Sequence, residues 1–260
     1  MKLIRFILDT AANAAAAATA EFSSRQRITI TKRNPYGDQL ISTLSGFGSD
    51  VSSQRLTSFE EEILQRAMEL KPTSACPLQA LDLFSGYCAS NAKRLAEMGY
   101  IAYAFDFSPP SPELTNIGQL LPGGGILHYK QQDVRHLDLT FLAQKLDLIT
   151  AQRSLHFLHF LEAQELIGNL ARHLKSGASM YFTIGAVDCK VGNGYKHADL
   201  PVELRWHPLE PELGEPIHVT EPLCLYKTED VHSLFQGVGG CIVRLERDDF
   251  GLFVVEFQMN

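Results

Sequence analysis

From residue 58 onward the apolar positions switch repeatedly between a period of about two and a period of about 3.6, the mark of strands alternating with helices. Ser58-Phe59-Glu60-Glu61 reads as a capping box opening a helix that carries Ile63, Leu64, Ala67 and Leu70 and is stopped by Pro72. A buried strand is expected at 80–84, a helix at 89–98 closed by Gly99, and a second strand at 101–105 ending on Asp106. The pattern continues with a helix at 110–121, ended by Pro122 and three glycines, and a third strand at 126–129. A short helix at 141–145 then leads to a fourth strand at 146–151. Residues 162–174 place Ala163, Leu166, Ile167, Leu170 and Leu174 on one helix face, with Ser176-Gly177 as the stop and a fifth strand at 180–184.

Residues 186–225 break this rhythm. They are rich in Pro, Gly, Tyr and His and contain the only tryptophan, Trp206; an irregular segment of that length inside a domain is usually a lid or a substrate wall. A helix at 228–235 follows, then strands at 241–246 and 252–257 around the turn Asp248-Asp249-Phe250-Gly251. The alternation predicts an α/β fold, a mostly parallel sheet with helices on both faces and a terminal antiparallel β-hairpin. Residues 1–57 are less regular, with an alanine run at 14–18, a β-prone stretch at 28–31, a polar turn at 34–38 and a Gly- and Ser-rich loop at 45–53. The basic start and alanine run look like a signal peptide, but Asp9 interrupts the apolar stretch, so a short alanine-rich helix is the expectation.

Composition narrows the classes of function. The 260 residues suit one α/β domain with a full core, and no apolar run approaches the roughly 20 residues that span a bilayer. With 23 Lys and Arg against 30 Asp and Glu, the net charge is −7 and the basic residues are scattered, which disfavours nucleic acid as a partner. The five cysteines, Cys76, Cys88, Cys189, Cys224 and Cys241, are widely spaced with no Cys-x-x-Cys, as expected of reduced thiols in a cytoplasmic protein. His156 and His159 stand close together, but without a third ligand nearby no metal site is expected.

The candidate chemistry lies where strands end. The first strand runs into Asp82-Leu83-Phe84-Ser85-Gly86-Tyr87-Cys88-Ala89-Ser90 at a helix start, a strand–turn–helix corner of the kind that holds nucleotides; glycine turns also follow strands for packing reasons alone. Asp106, at the end of the second strand, is placed to accept hydrogen bonds from two ribose hydroxyls and to repel a phosphate there. Asp133, followed by Val134, sits just past the third strand, where a carboxylate beside an apolar residue can hold an exocyclic amine and cover a purine ring. Gln152, Arg153 and His156 follow the fourth strand. Ligands of open parallel sheets bind at the carboxyl ends of the strands, and all four elements stand at such ends in chain order.

These residues resemble class I S-adenosylmethionine-dependent methyltransferases, over about residue 58 to the C-terminus. The segments Arg153–Leu158 ("RSLHFL") and His173–Ile184 ("HLKSGASMYFTI") are similar to small-molecule methyltransferases of types 11 and 12. The resemblance implies a Rossmann-like seven-stranded sheet over 58–260 with 186–225 as a substrate-side insertion and 1–57 as a helical or irregular extension, a candidate lid. It implies S-adenosylmethionine as cofactor, with Asp82, Phe84 and Gly86 beside its methionine part, Asp106 on the ribose, Phe107 and Val134 against the adenine, Asp133 at the adenine amine and Gln152 beside the sulfonium. One departure stands out. The family usually has three alternating glycines in the first turn, and here only Gly86 remains, with Phe84 and Cys88 at the other places.

Several acceptors are argued against by what is missing. The "DLFSG" run also resembles DNA cytosine methyltransferases, but those need a Pro-Cys nucleophile after the fourth strand, where Gln152-Arg153 stands. The Asn/Asp-Pro-Pro-aromatic turn of amino-methylating nucleic-acid enzymes is absent; Asn34-Pro35-Tyr36 is a partial lookalike upstream of the first strand. A small-molecule acceptor is expected. For a hydroxyl acceptor His156 is the candidate base, or else it packs the loop. Arg153 either orients an acidic acceptor or forms an ion pair. Tyr195, His197 and Trp206 either wall the acceptor pocket or form the core of the irregular segment. Two alternatives remain: an NAD-dependent oxidoreductase, which would want a fuller Gly-x-Gly-x-x-Gly turn, and a non-catalytic cofactor-binding regulator.

Overall fold

The computed structural model describes residues 31–40, 46–71, 76–114 and 118–260; the alanine-rich helix and most of the β-prone stretch at 28–31 lie outside them. In chain order the elements are a small hairpin β1 (Thr31–Arg33) and β2 (Gln39–Leu40), helix α1 (Ser58–Glu69), strand β3 (Gln79–Leu83), helix α2 (Ser90–Glu97), and strands β4 (Ile101–Asp106), β5 (Gln119–Leu120), β6 (Ile126–Gln131) and β7 (Leu146–Ala151). Helix α3 (Phe160–His173), strand β8 (Leu174–Ile184), strand β9 (Trp206–His207), helix α4 (Pro211–Gly214), strand β10 (Leu223–Cys224), helix α5 (Thr228–Leu234) and the hairpin β11 (Gly240–Arg247) and β12 (Phe253–Met259) complete the chain.

The main sheet runs β11-β12-β8-β7-β3-β4-β6-β5. The central pairs β3–β4, β3–β7, β4–β6 and β7–β8 are parallel, while β8–β12, β11–β12 and β5–β6 are antiparallel. Alternation along a strand sends successive side chains to opposite layers. Ala80 of β3 packs with Phe59, Ile63 and Ala67 of α1 and Leu95 of α2. Leu81 and Leu83 pack with Leu166 and Ile167 of α3 and Val231 and Leu234 of α5. Helices therefore cover both faces, as expected. The insertion at 186–225 has a small core of its own around Tyr195, Leu209, Val219, Leu223 and Leu225.

The sheet differs from the sequence reading in four places. It has eight strands rather than seven, the extra one being the two-residue edge strand β5. No helix forms over the described part of 110–121. Ser111 N–H donates to the Tyr87 carbonyl instead of serving a helix, and Gln119 and Leu120 pair antiparallel with Leu127 and Ile126 of β6. Residues 141–145 make only a turn, Leu142 N–H donating to the Leu139 carbonyl, because so short a run cannot nucleate a helix. The capping box of α1 begins one residue earlier than read, on Thr57 and Glu60.

Chain order reverses across the middle of the sheet. The chain moves outward from β3 through β4 to β6, then returns to β7 on the other side of β3. The connecting loops part there and leave a crevice at the carboxyl ends.

Candidate active site

The turn from β3 into α2 takes three left-handed residues, Phe84 (φ 52°), Gly86 (φ 70°) and Ala89 (φ 48°). Asp106 bolts this turn to the end of β4. Its Oδ2 accepts the Gly86 N–H at 2.8 Å and its Oδ1 the Ser108 N–H at 2.7 Å. Beneath the turn Asp82 is buried and accepts the Ala92 N–H at 3.2 Å. Burial pushes its carboxyl well above the ordinary range, and the nearby charges of Glu60, Asp50 and Asp106 add to that. Above the turn lies Asp50. A Cβ at position 86 would meet its carboxyl at 2.8 Å, so only glycine fits.

These groups line one cleft of about 300 Å³. Asp82, Phe84, Gly86, Asp106, Phe107, Asp133, Val134 and Gln152 all contribute to its wall, as do Arg153 and Trp206. Asp133 caps the short turn Val134–His136 and is clasped by Arg135, whose hydrogen bonds hold its carboxyl below the ordinary range. Phe107 is exposed and Val134 buried, so two apolar surfaces flank the space beside Asp133. The Gln152 amide is turned to the sheet, its Nε2 donating to Thr150 Oγ1 at 2.8 Å and the Tyr181 carbonyl at 3.1 Å. Arg153 is not a free cation: it pairs with the buried Glu60, Nη2 to Oε1 at 2.9 Å.

Three residues expected near the chemistry stand apart from this cleft. His156 lines a neighbouring cavity, with Nδ1 accepting the Gly185 N–H at 3.2 Å. The Tyr195 hydroxyl donates to the Arg205 carbonyl at 2.6 Å inside the core of the insertion. His197 stacks on His207 with ring centroids 3.7 Å apart.

The cleft contains polar atoms that the protein leaves without partners. The hydroxyls of Ser49, Ser85 and Ser154 and Nε1 of Trp206 are buried and unbonded, and all four residues line the cleft. Buried polar groups are nearly always satisfied, so four orphans around one space indicate a polar ligand.

Residues 81–182, which span all four strand ends, match the family of methyltransferase domains. The match covers the centre of the sheet, and the architecture around it is the Rossmann-like fold of class I methyltransferases. No curated protein sequence matches the chain significantly. The chain is similar in fold to a magnesium protoporphyrin IX methyltransferase from Synechocystis with S-adenosylmethionine bound, at 15% identity and a TM-score of 0.51 over 81% of each chain. It is similar to 1,6-didemethyltoxoflavin-N1-methyltransferase from Burkholderia thailandensis, at 15% identity and a TM-score of 0.54 over 81% of each chain. An S-adenosylmethionine-dependent methyltransferase from Clostridium acetobutylicum aligns at 14% identity with a TM-score of 0.52, over 81% of this chain and 95% of its own.

Part of the wall comes from outside the matched residues and escaped the sequence reading. Phe47, Ser49, Asp50 and Ser52 belong to the Gly- and Ser-rich loop within the extension expected as a candidate lid, but none of them was singled out as a site residue, and they line the cleft. That stretch is tied to the insertion: Gly48 N–H donates to the His218 carbonyl, Thr220 and Glu221 N–H groups donate to the Gly46 carbonyl, and Phe47 bridges Val219. No periodicity in the sequence announces such a contact, because it is made across more than 160 residues by single strand-like bridges.

Proposed function

We propose that the protein binds S-adenosylmethionine in this cleft and transfers its methyl group to a small-molecule acceptor. The convergence of Asp82, Asp106 and Asp133 on a single cleft carries this reading. The residues fit the cofactor. Asp106 keeps lone pairs for two ribose hydroxyls after accepting its two backbone N–H bonds, Phe107 and Val134 flank a purine, and Asp133 faces its amine. The Asp50 and Asp82 carboxyls are both pushed up, burial being the larger cause in each. A cationic ligand relieves that cost; a pyrophosphate over the same turn would add to it. This disfavours the NAD reading.

When bound, the cofactor would supply an electrophilic methyl carbon on a sulfonium: the acceptor lone pair would bond to that carbon as the carbon–sulfur bond breaks with its pair left on sulfur, and an acceptor O–H or N–H proton would pass to water. The protein's contribution is positioning and exclusion of water. Residues 46–52, held by 218–221, act as a lid over the cleft. His156 is unsuited to act as a base in this arrangement: its Nδ1 accepts a backbone N–H, so the neutral ring carries its proton on Nε2.

Calorimetry with S-adenosylhomocysteine and with NAD separates the readings. The expected result is binding of the first only, weakened at least about tenfold by Asp106→Ala, since a hydrogen bond to a charged group contributes ~1.5–3 kcal/mol. Binding of NAD alone overturns the proposal. A methyl-transfer assay against mixed metabolites then distinguishes an enzyme from a non-catalytic binder.

A further inference from the structure

Beside the cofactor cleft lies a second cavity of about 150 Å³. The two share a wall of Phe47, Gly48, Ser49, Val51, Arg153 and Phe157. The Phe47 and Phe157 rings stand in that wall with centroids 5.3 Å apart. The rest of the chamber is built by five separate parts of the chain, one of them Arg55 and Thr57 ahead of α1. Tyr36 comes from the β1–β2 hairpin, His156 from the loop after β7, Val191 and Ile217 from the insertion, and Phe250 from the β11–β12 turn. Tyr36 meets Phe250 edge to face at 5.2 Å and closes the outer side.

The charged groups in this wall are already engaged. Arg55 Nε donates to Asp38 at 2.7 Å, and Arg153 is held by Glu60. The Lys190 ammonium lies 4.7 Å from the centre of the Phe250 ring. Asp248 Oδ1 accepts the N–H groups of Phe250 at 2.9 Å and Leu252 at 2.8 Å. A charged guest that took Asp38, Arg153 or Asp248 from its present partner would leave a buried group unpaired at a cost of several kcal/mol, whereas drawing the exposed Lys190 off the Phe250 ring costs only about 0.5–1 kcal/mol. The Ser49 hydroxyl in the shared wall has no partner among the described residues, and a second polar group stays unspent on the chamber side. With Nδ1 of His156 taken by Gly185 N–H, its Nε2–H has no acceptor among the described residues.

We propose that this chamber receives the methyl acceptor, and that the acceptor is a compact, uncharged aromatic or heteroaromatic molecule offering an oxygen or nitrogen lone pair to His156 Nε2–H. It rests on the cofactor reading above. The aromatic walls supply flat apolar contact, the His156 donor fixes orientation, and the atom to be methylated points past Phe47 and Phe157 at the cofactor cleft. His156 is a positioning residue in this scheme.

The test uses a matched pair of probes, 2-naphthol and its carboxylated relative 3-hydroxy-2-naphthoate, titrated into the full chain saturated with S-adenosylhomocysteine. The neutral probe is expected to bind and the anion at least about tenfold more weakly. Ile217→Trp and Val191→Trp, each filling the chamber, are expected to abolish naphthol binding while S-adenosylhomocysteine affinity stays within about twofold, which also shows that the variants fold. His156→Phe should weaken the neutral probe about tenfold, the worth of one hydrogen bond. The proposal is overturned if the anion binds as tightly, if wild type binds no naphthol, or if both filled variants retain it with S-adenosylhomocysteine bound. Failure of wild type to bind S-adenosylhomocysteine at all sinks the cofactor reading instead, and the acceptor role with it.

Discussion

Arg153, on the loop after β7, lays its guanidinium across Glu60 of α1, with Nη2 2.9 Å from Oε1 and Nη1 3.2 Å from Oε2. The same carboxylate closes the capping box of α1 through the Thr57 N–H at 2.8 Å and accepts the Ser52 hydroxyl at 2.6 Å. One buried side chain thus joins the floor of the cleft, the helix before the sheet and the segment that covers the ligand space.

Burial alone would raise the Glu60 carboxyl, but the Arg153 charge and the hydrogen bonds from Arg153, Ser52 and Thr57 outweigh it and hold it at about 2, against 4.5 for an ordinary glutamate. A carboxyl lowered in the folded state stabilises it above pH 4.5 and loses that contribution as the pH falls toward 2. Glu60→Gln is expected to cost roughly 3 kcal/mol at pH 7, where it leaves Arg153 unpaired. Denaturant melts at pH 7 and pH 3 check this: the gap between wild type and variant should shrink markedly at the lower pH. An unchanged gap would assign the stabilisation to packing.

Asp50 stands over the glycine turn with its carboxyl raised, chiefly by burial. A carboxylate so placed attracts a sulfonium more than a thioether. Asp50→Asn should therefore reduce affinity for S-adenosylmethionine by about tenfold and for S-adenosylhomocysteine by far less, an added charge interaction of ~1.4 kcal/mol. Wild-type affinity for S-adenosylmethionine should also rise with pH above the usual carboxylate range, as Asp50 and Asp82 ionise. Calorimetry with the two cofactors reads both effects, and equal losses would remove Asp50 from any role toward the charge.

His156 is lowered to about 4, first by burial and then by the Arg153 charge. What surface it retains opens on the chamber. The folded protein resists protonating it while an unfolded histidine titrates at 6.5, so its contribution is intact above pH 6.5 and is lost as the pH falls toward 4. An imidazole titration by NMR should find His156 neutral at pH 6 with the proton on Nε2. His156→Phe should flatten the stability curve between those pH values. A charged ring at pH 6 would contradict both expectations.

Phe84 occupies a left-handed conformation, φ 52°, where the family usually places glycine. A Cβ there costs roughly 1–2 kcal/mol, offset by packing of the ring against the core beneath α3. Phe84→Gly and Phe84→Ala both lose that packing, but only alanine keeps the strain. The glycine variant should be the more stable of the two by about 1 kcal/mol in thermal or chemical melts. The reverse order would show that the turn is unstrained.

Most of the fold was legible because its signals are local. The periodicity of 162–174 and the strand runs ending on Leu83, Asp106 and Ala151 survive as α3, β3, β4 and β7 within a residue or two. The signal failed where a local pattern met a non-local constraint. Residues 110–121 have helix-like spacing, yet Gln119 and Leu120 are taken up as an edge strand against Leu127 and Ile126 of β6. The acids Asp82, Asp106 and Asp133 could be placed at one edge because parallel topology puts strand ends together.

By itself the sequence determined the alternation of strands and helices, and hence which end of the sheet would carry the ligand acids, since hydrophobic period and strand-end position are properties of neighbouring residues. Only the tertiary structure decided that Asp50 covers Gly86, that Arg153 is spent on Glu60, and that His156 lines the neighbouring cavity rather than the cleft. Those outcomes depend on which distant groups reach a residue first, and no spacing along the chain encodes that competition.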